Sequence, residues 1–393
     1  MDIFDKCNKF TEAKEAIEQG WYPFFIPFAE SEGTEVIYKG HRLIMCGSNN
    51  YLGLTNHPKV LEAAKSAIDR FGTSCTGSRF LNGTLELHEQ LEGELAEWVG
   101  KPAALIFSTG MQVNLGTISS LVGRGDTIIL DKEDHASIVD GARLGYGKIE
   151  RFRHNDIDHY KRVLESIPSE SGKLVVVDGV FSMGGDLARL DEMVTVAKEY
   201  GARFMVDDAH GIGVTGQGHG TAWQYGVTDD VDLIMSTFSK SFASLGGFIA
   251  GEEDVIHYIK HFARSLIFSA SPTPSNTAAA LAALSIMREE PDRVQKVMDN
   301  AEKMRNAFGQ MGFNTGESVT PIIPIIIGDD QLTFLTWRTL FEAGVFVNPI
   351  ISPAVPPGLQ LLRTSYMATH SDEQLDQVLG IFEAVGKKVG LIS

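Results

Sequence analysis

The chain has 393 residues and a mass of 42.9 kDa, of which 43% are hydrophobic and 22% charged. This length predicts one large domain and a smaller one rather than a single small core. The formal net charge of −17 argues against a surface that binds nucleic acid or anionic membranes. A buried site can still gather local donors for an anionic ligand.

Localisation signals are sparse. Cys7, Cys46 and Cys75 follow no metal-ligand or CxxC spacing, so we expect a reducing, cytoplasmic environment and no metal site. The first ten residues carry acids and no apolar core, unlike a signal peptide. No apolar run approaches the ~20 residues of a membrane span. The densest, Pro321–Gly328, is predicted to be a buried strand, and peripheral membrane contact stays open.

Short β-rich runs alternate with helical stretches along the first two thirds of the chain. Each run ends at a small or polar residue, and a helical pattern over 190–201 separates two of them. This spacing predicts βαβ crossovers and a mostly parallel sheet with ligands beyond the carboxyl ends of its strands. The predicted strands are Ala103–Phe107, Thr127–Leu130, Leu174–Val177, Arg203–Val206 and Asp232–Met235.

The pattern changes after Pro274. A long helical segment follows, then a proline-containing strand, a helix over Leu332–Ala343 and a final helix from Asp372. We therefore expect an α/β chain in three parts: an N-terminal arm (1–50), a large cofactor-binding domain (51–285) and a small C-terminal α+β domain (286–393).

Lys240 is the strongest candidate for chemistry. It follows a strand, lies among small hydroxylated residues (STFSKS, 236–241) and precedes Gly246 and Gly247. Desolvation lowers an ammonium pKa, and a neutral amine is what Schiff-base formation requires. We interpret Lys240 as the lysine that holds pyridoxal phosphate, rather than as a surface lysine.

A second strand delivers Asp207 and, three residues on, His210. A carboxylate at the end of an apolar strand is costly unless it meets a cation, and a protonated pyridine nitrogen is such a cation. His210 is then placed to bind the phenolic oxygen or the substrate. A magnesium-binding aspartate pair is the rival interpretation, but no Walker lysine motif or third acidic cluster accompanies it.

Weaker signals agree with this interpretation. His135 lies at a strand-to-helix turn, where it could lie against an aromatic cofactor and move protons. The turn at 107–112 opens a helix whose start suits a phosphate, and the turn at 268–274 could complete that site. Arg363 could hold a carboxylate bidentately or form a structural salt bridge; chemistry alone leaves both open.

Five ordered motifs, FSTG (107–110), DHASIVDG (134–141), DGVFSM (178–183), VDDAHGIG (206–213) and TFSKS (237–241), resemble those of the α-oxoamine synthase family. The resemblance runs from about residue 33 to about residue 370. It implies a fold-type I pyridoxal-phosphate transferase that condenses an amino acid with an acyl-CoA, acting as a homodimer with shared active sites.

The resemblance also implies residue roles. Lys240, His135, Asp207 and His210 would be catalytic, with His135 stacked on the ring and Asp207 paired with the pyridine nitrogen. Arg363, Asn50, Tyr51 and His135 would contact the amino acid. The cofactor would further contact Gly110, Met111, Ser182, Thr237 and Ser239, together with Ser271 and Thr273 from the neighbouring subunit.

Within the family, four stretches (33–36, 77–84, 347–349 and 367–370) are similar to the soluble bacterial serine palmitoyltransferases. That branch condenses L-serine with palmitoyl-CoA to 3-ketodihydrosphingosine, the first step of sphingolipid synthesis. One departure is Gly184, where the family usually has an acidic residue.

Two alternatives stay open. A sister synthase would use glycine or alanine with a shorter acyl thioester, like the 2-amino-3-ketobutyrate CoA ligases and 8-amino-7-oxononanoate synthases. A non-catalytic regulatory subunit fits poorly, because such proteins commonly lose the lysine that is present here as Lys240.

Overall fold

The computed structural model describes residues 2–393. The strands are β1 (Glu30–Ser31), β2 (Glu35–Tyr38), β3 (His41–Met45), β4 (Ala103–Phe107), β5 (Thr127–Asp131), β6 (Lys148–Phe152), β7 (Lys173–Asp178), β8 (Arg203–Asp207), β9 (Leu233–Thr237), β10 (Gly247–Gly251), β11 (Ile322–Ile326), β12 (Val345–Phe346), β13 (Asn348–Ile350) and β14 (Leu361–Ser365). The helices are α1 (Asp5–Lys9), α2 (Glu12–Glu18), α3 (Pro58–Phe71), α4 (Glu86–Trp98), α5 (Gly110–Leu121), α6 (Ala136–Leu144), α7 (Ile157–Glu165), α8 (Leu190–Glu199), α9 (Thr221–Gln224), α10 (Glu253–Phe262), α11 (Arg264–Ile267), α12 (Pro274–Glu289), α13 (Asp292–Met311), α14 (Asp330–Glu342) and α15 (Asp372–Val389).

The large domain is built on a seven-stranded sheet in the order β4-β10-β9-β8-β7-β5-β6. Only β10 runs against its neighbours β4 and β9, so the predicted mostly parallel sheet is confirmed. In the β7–β8 pair Asp178 lies opposite Asp207, which brings two carboxylates to the same edge of the sheet.

The central strands of the sheet are buried on both faces because most of their residues are apolar. All residues of β5 and β7 are buried. Along β7, Val175 and Val177 belong to one hydrophobic cluster, whereas Leu174 and Val176 belong to the other. This alternation follows from the two-residue repeat of a strand and places helices on each side.

Helix starts explain where polar groups gather. Thr109 caps α5 and His135 caps α6, each accepting from a backbone N–H of its first turn. The long helical segment predicted after Pro274 consists of two helices, α12 and α13, which are separated at Glu290 and Pro291 because proline offers no N–H to continue a helix. Across residues 2–393, no helix combines the length and apolar character that a bilayer span requires.

The C-terminal part packs α13, α14 and α15 around the sheet β11-β14-β13. Pro324 is accommodated because β11 is an edge strand. The N-terminal strands β2 and β3 join this region, since β3 pairs in parallel with β12, with Ile44 opposite Val345. The division at residues 50 and 285 stays a prediction.

Candidate active site

The carboxyl ends of the sheet strands surround a cavity of about 230 Å³. Strands β7, β8 and β9 contribute their last residues, and α5 and α6 contribute their first turns. The lining is Thr109, Gly110, Met111, His135, Ser137, Asp178, Ser182, Asp207, Ala209, His210, Met235, Thr237, Ser239, Lys240 and Leu245. Nine residues predicted from separate motifs therefore share one pocket.

Lys240 reaches this cavity from the turn after β9. Burial of its amine, helped by the positive charge of Arg363, lowers the pKa to about 8, although Asp207 and Asp178 oppose the shift. An amine with that pKa is neutral in a substantial fraction of molecules near neutral pH. It can therefore act as a nucleophile toward an aldehyde and as a base.

Asp207 is a buried carboxylate, 4% exposed, at the end of β8. It accepts hydrogen bonds from Asn114 Nδ2 at 2.7 Å and from the Ala209 N–H at 3.1 Å. No lysine, arginine or histidine of residues 2–393 forms an ion pair with it. A buried carboxylate of this kind fits a cofactor that brings its own cation, such as the protonated ring nitrogen of pyridoxal phosphate.

His135 is held by the carboxylate that ends β7 and by the first turn of its own helix, α6. Its backbone N–H donates to Asp178 Oδ2 at 2.9 Å, and its ring Nδ1 accepts from the Ser137 N–H at 3.2 Å. Burial, with the positive charge of Lys240, lowers the pKa of His135 against the influence of Asp207. The imidazole is therefore neutral at neutral pH, which suits a ring lying against an aromatic cofactor.

The start of α5 brings together several groups that can donate hydrogen bonds to an anion. A Cβ on Gly110 would lie 2.8 Å from the Thr237 Cβ and Oγ1, so only glycine allows this close approach. Thr237 Oγ1 lies 2.9 Å from Ser239 Oγ, beside the helix N-terminus. Backbone N–H groups, two hydroxyls and the helix dipole suit a phosphate at this position.

Arg363 on β14 lies behind the lining residue Ser182 and is 4% exposed. Its Nε donates to the Ser182 carbonyl at 2.6 Å, and its Nη2 donates to Asn49 Oδ1 at 2.9 Å and to the Tyr51 hydroxyl at 3.4 Å. Within residues 2–393 it forms no salt bridge, so the alternative of a structural ion pair is not what the structure contains. A buried guanidinium held only by neutral groups suits a ligand carboxylate.

His210 links this guanidinium to the cofactor pocket. Its Nδ1 lies 2.6 Å from the Tyr51 hydroxyl. Burial, with the positive charges of Lys240 and Arg363, lowers the pKa of His210 well below its usual range. Burial also raises the pKa of Tyr51, although Arg363 opposes it. Both groups are therefore neutral hydrogen-bonding partners at neutral pH.

Five predicted residues lie outside the cavity lining: Tyr51 and Arg363, described above, and Asn50, Ser271 and Thr273. The Asn50 carboxamide bonds Thr55 Oγ1 and the Leu54 N–H in its own turn, and its neighbour Asn49 is the one that contacts Arg363. Ser271 donates to the Gly83 carbonyl, and Thr273 caps α12. The assignment of Ser271 and Thr273 to a neighbouring subunit's phosphate stays a prediction.

The sequence analysis missed Asn114, Asp178 and Ser137. Asp178 ends a buried strand just as Asp207 does, so the same signal could have found it. Asn114 lies one turn into α5 and is 0% exposed. Its distance from Gly110, four residues, puts both on one helix face, but the contact with Asp207 spans 93 positions of sequence.

Comparison with known proteins identifies the class. The family model for aminotransferase class I and II matches residues 42–382, and the chain belongs to that family. A serine palmitoyltransferase from Sphingobacterium spiritivorum is 50% identical over 378 residues, which are 96% of this chain and 95% of the relative. An 8-amino-7-oxononanoate synthase from Geobacter sulfurreducens is 40% identical over 384 residues, which are 97% of this chain and 98% of that relative.

Solved structures of serine palmitoyltransferases have the same fold as this chain. The serine palmitoyltransferase of Sphingomonas wittichii has a TM-score of 0.97 and 40% identity, with 100% of both chains covered. A structure described as SPT with PLP internal aldimine has the same TM-score at 37% identity, again covering 100% of both chains. These similarities confirm the predicted fold-type I transferase fold.

Proposed function

We propose that this chain is a pyridoxal-phosphate-dependent acyltransferase that condenses L-serine with palmitoyl-CoA or a similar long-chain acyl-CoA. The products are 3-ketodihydrosphingosine, CoA and carbon dioxide. The observation that carries the proposal is the buried Arg363, which has no carboxylate partner among residues 2–393 and donates to Ser182, a residue that lines the same pocket as Lys240 and Asp207. One site thus offers a place for an amino acid's carboxylate beside a lysine suited to the cofactor.

The pocket residues divide the work of holding the cofactor. We assign Asp207 to the pyridine nitrogen, His135 to the ring face and His210 to the ring oxygen. Gly110, Thr237 and the hydroxyl of Ser239 would hold the phosphate. When bound, pyridoxal phosphate supplies an electron sink that stabilises negative charge at the amino acid's Cα.

The chain's own groups handle orientation and protons. Arg363 binds the substrate carboxylate through its planar guanidinium, and the Tyr51 hydroxyl and Asn49 carbonyl hold that guanidinium in place. Lys240, with a pKa of about 8, accepts the Cα proton and returns a proton to the product carbon. His135, which is neutral, would orient the amino acid so that its Cα proton faces the Lys240 amine, and it adds no positive charge to the site.

The serine-specific interpretation is favoured over the sister synthase by the relatives. Four relatives named serine palmitoyltransferase are 47–50% identical to this chain and a fifth is 41% identical, whereas the relatives named 8-amino-7-oxononanoate synthase are 40–42% identical. A regulatory subunit is disfavoured because Lys240, Asp207, His210 and His135 line one cavity.

The test is a spectral titration of the protein loaded with pyridoxal phosphate. Adding L-serine, glycine and L-alanine separately should give a saturable change at the lowest concentration with L-serine. Lys240→Ala should lose the lysine-linked visible absorption and all turnover. A tighter response to glycine or L-alanine would move the assignment to a sister synthase, and full turnover by Lys240→Ala would refute the site.

Assembly and location belong to the same proposal. We infer a cytoplasmic homodimer in which Ser271 and Thr273 of one subunit help to bind the phosphate of the other. Sedimentation of the loaded protein should give a dimer. Mixing a Lys240→Ala subunit with a Thr273→Ala subunit should leave more activity than the Thr273→Ala dimer alone if the sites are shared.

A further inference from the structure

His154 lies just beyond β6, outside the cavity lining, and bridges two carboxylates. Its Nδ1 is 3.0 Å from Asp131 Oδ1 and its Nε2 is 3.0 Å from Asp186 Oδ2. Partial burial lowers the pKa of His154, but the hydrogen bonds to Asp131 and Asp186 outweigh burial and raise the pKa to about 10. The ring is therefore an imidazolium at neutral pH, and both of its nitrogens donate.

The bridge joins a rigid strand to the turn that enters the active site. Asp131 ends the fully buried β5, and its side chain is 0% exposed. Asp186 belongs to the turn at 181–187, which is closed by the Phe181 N–H donating to the Asp186 carbonyl at 3.0 Å. The Phe181 ring also packs edge-on against the imidazole, with the ring centroids 4.4 Å apart. His154 thus contacts both ends of this turn.

The same turn holds the guanidinium. Its Ser182 carbonyl accepts from Arg363 Nε at 2.6 Å, the shortest of the three hydrogen bonds that orient this side chain. A movement of the turn would therefore move or release Nε. The chain of contacts runs from β5 through His154, Asp186 and Ser182 to Arg363.

Gly184 leaves room for this arrangement. A Cβ at that position would lie 2.4 Å from Asp186 Oδ1, so a larger residue would force the carboxylate to move. Asn155 supports the same carboxylate, donating from Nδ2 to Asp186 Oδ2 at 3.2 Å. The departure from the family pattern thus lies beside the carboxylate that His154 binds.

We propose that His154 is a positioning residue for the substrate carboxylate, acting through the 181–187 turn and its Ser182 carbonyl on Arg363. The inference rests on the proposed function, because it takes Arg363 to bind the carboxylate of the amino acid. A merely structural histidine would support the fold without favouring ligands that carry a carboxylate. The two roles differ in what they predict for a ligand lacking that group.

The experiment compares L-serine with serinol, in which a hydroxymethyl group replaces the carboxylate. Dissociation constants are measured from the spectral change of the protein loaded with pyridoxal phosphate. In His154→Ala the preference for L-serine over serinol should fall about tenfold, while cofactor content and the absorption without ligand stay unchanged. Asp186→Asn, which keeps the shape and loses the charge, should lower the preference about threefold.

His159 supplies the matched control. It lies in the same region, but its Nδ1 accepts from the Arg153 N–H and its side chain makes no hydrogen bond to the 181–187 turn. His159→Ala should keep the wild-type preference. Equal weakening of both ligands in His154→Ala, or no weakening, would overturn the inference. If His154→Ala does not fold, Asp186→Asn decides by the same ratio.

Failure of the proposed function has a different signature. Wild-type protein that binds cofactor but responds no better to L-serine than to serinol would show that Arg363 does not bind the substrate carboxylate. That result would overturn the proposed function and this inference together. An intact wild-type preference with an unchanged ratio in both variants would overturn the inference alone.

Discussion

Replacing Asn114 with leucine tests how the protein holds a carboxylate in its interior. The Asn114 side chain donates to Asp207 Oδ2 at 2.7 Å and to Ser137 Oγ at 2.8 Å, and the residue is 0% exposed. Leucine has the same number of side-chain heavy atoms and the same branching at Cγ, but no donor. Asn114→Leu therefore removes two buried hydrogen bonds without opening a large cavity.

The magnitude follows from the partners. Loss of a hydrogen bond to a charged group costs about 2 kcal/mol, and loss of the neutral one to Ser137 costs about 1 kcal/mol. Asn114 Oδ1 is buried without a partner, so removing it returns about 1 kcal/mol. The free energy of unfolding should fall by about 2 kcal/mol in Asn114→Leu.

Thr117→Val is the matched control. Thr117 lies on the same helix, is 0% exposed, and its Oγ1 is buried without a partner. The substitution should leave stability unchanged or raise it. The assay is denaturant unfolding of both variants, with cofactor retention on dialysis as a second measurement. If Asn114→Leu unfolds at the same denaturant concentration as Thr117→Val and keeps its cofactor equally, the Asn114–Asp207 hydrogen bond contributes nothing and the reasoning fails.

Three further predictions concern the cofactor and substrate. Gly110→Ala should weaken pyridoxal phosphate binding about tenfold in equilibrium dialysis, because the alanine Cβ would displace Thr237. Gly93→Ala is the control: a Cβ at Gly93 would have no other atom within 4 Å, so this variant should bind the cofactor normally. The rate at which the apoprotein combines with pyridoxal phosphate should rise as pH rises through about 8, because the pKa of Lys240 is lowered to about 8 and only the neutral amine reacts. A rate measured by stopped flow that does not rise with pH would contradict this prediction. Arg363→Lys should raise the KM for L-serine by about tenfold or more in steady-state assays, since an ammonium cannot bind a carboxylate bidentately, and an unchanged KM would place that carboxylate elsewhere.

The sequence by itself determined the sheet and much of the site. The apolar runs that became β5, β7 and β8 could be predicted because buried parallel strands are continuously hydrophobic. Functional side chains follow such strands, so Asp207, His135 and Lys240 were recognisable from local signals. The motif order then indicated the family, which the comparisons confirm.

Only the tertiary structure decided which neighbours these residues have. Asn114 meets Asp207 across 93 positions, and Arg363 meets Asn49 across 314. The sequence left open whether Arg363 forms a structural salt bridge or is available to a ligand carboxylate. The structure decided against the salt bridge, because no carboxylate among residues 2–393 folds beside Arg363. The two-residue repeat of a strand and the 3.6-residue repeat of a helix show which side chains are buried. They do not show which distant residue a buried side chain will bond, so hydrogen bonds between distant segments cannot be predicted from these repeats.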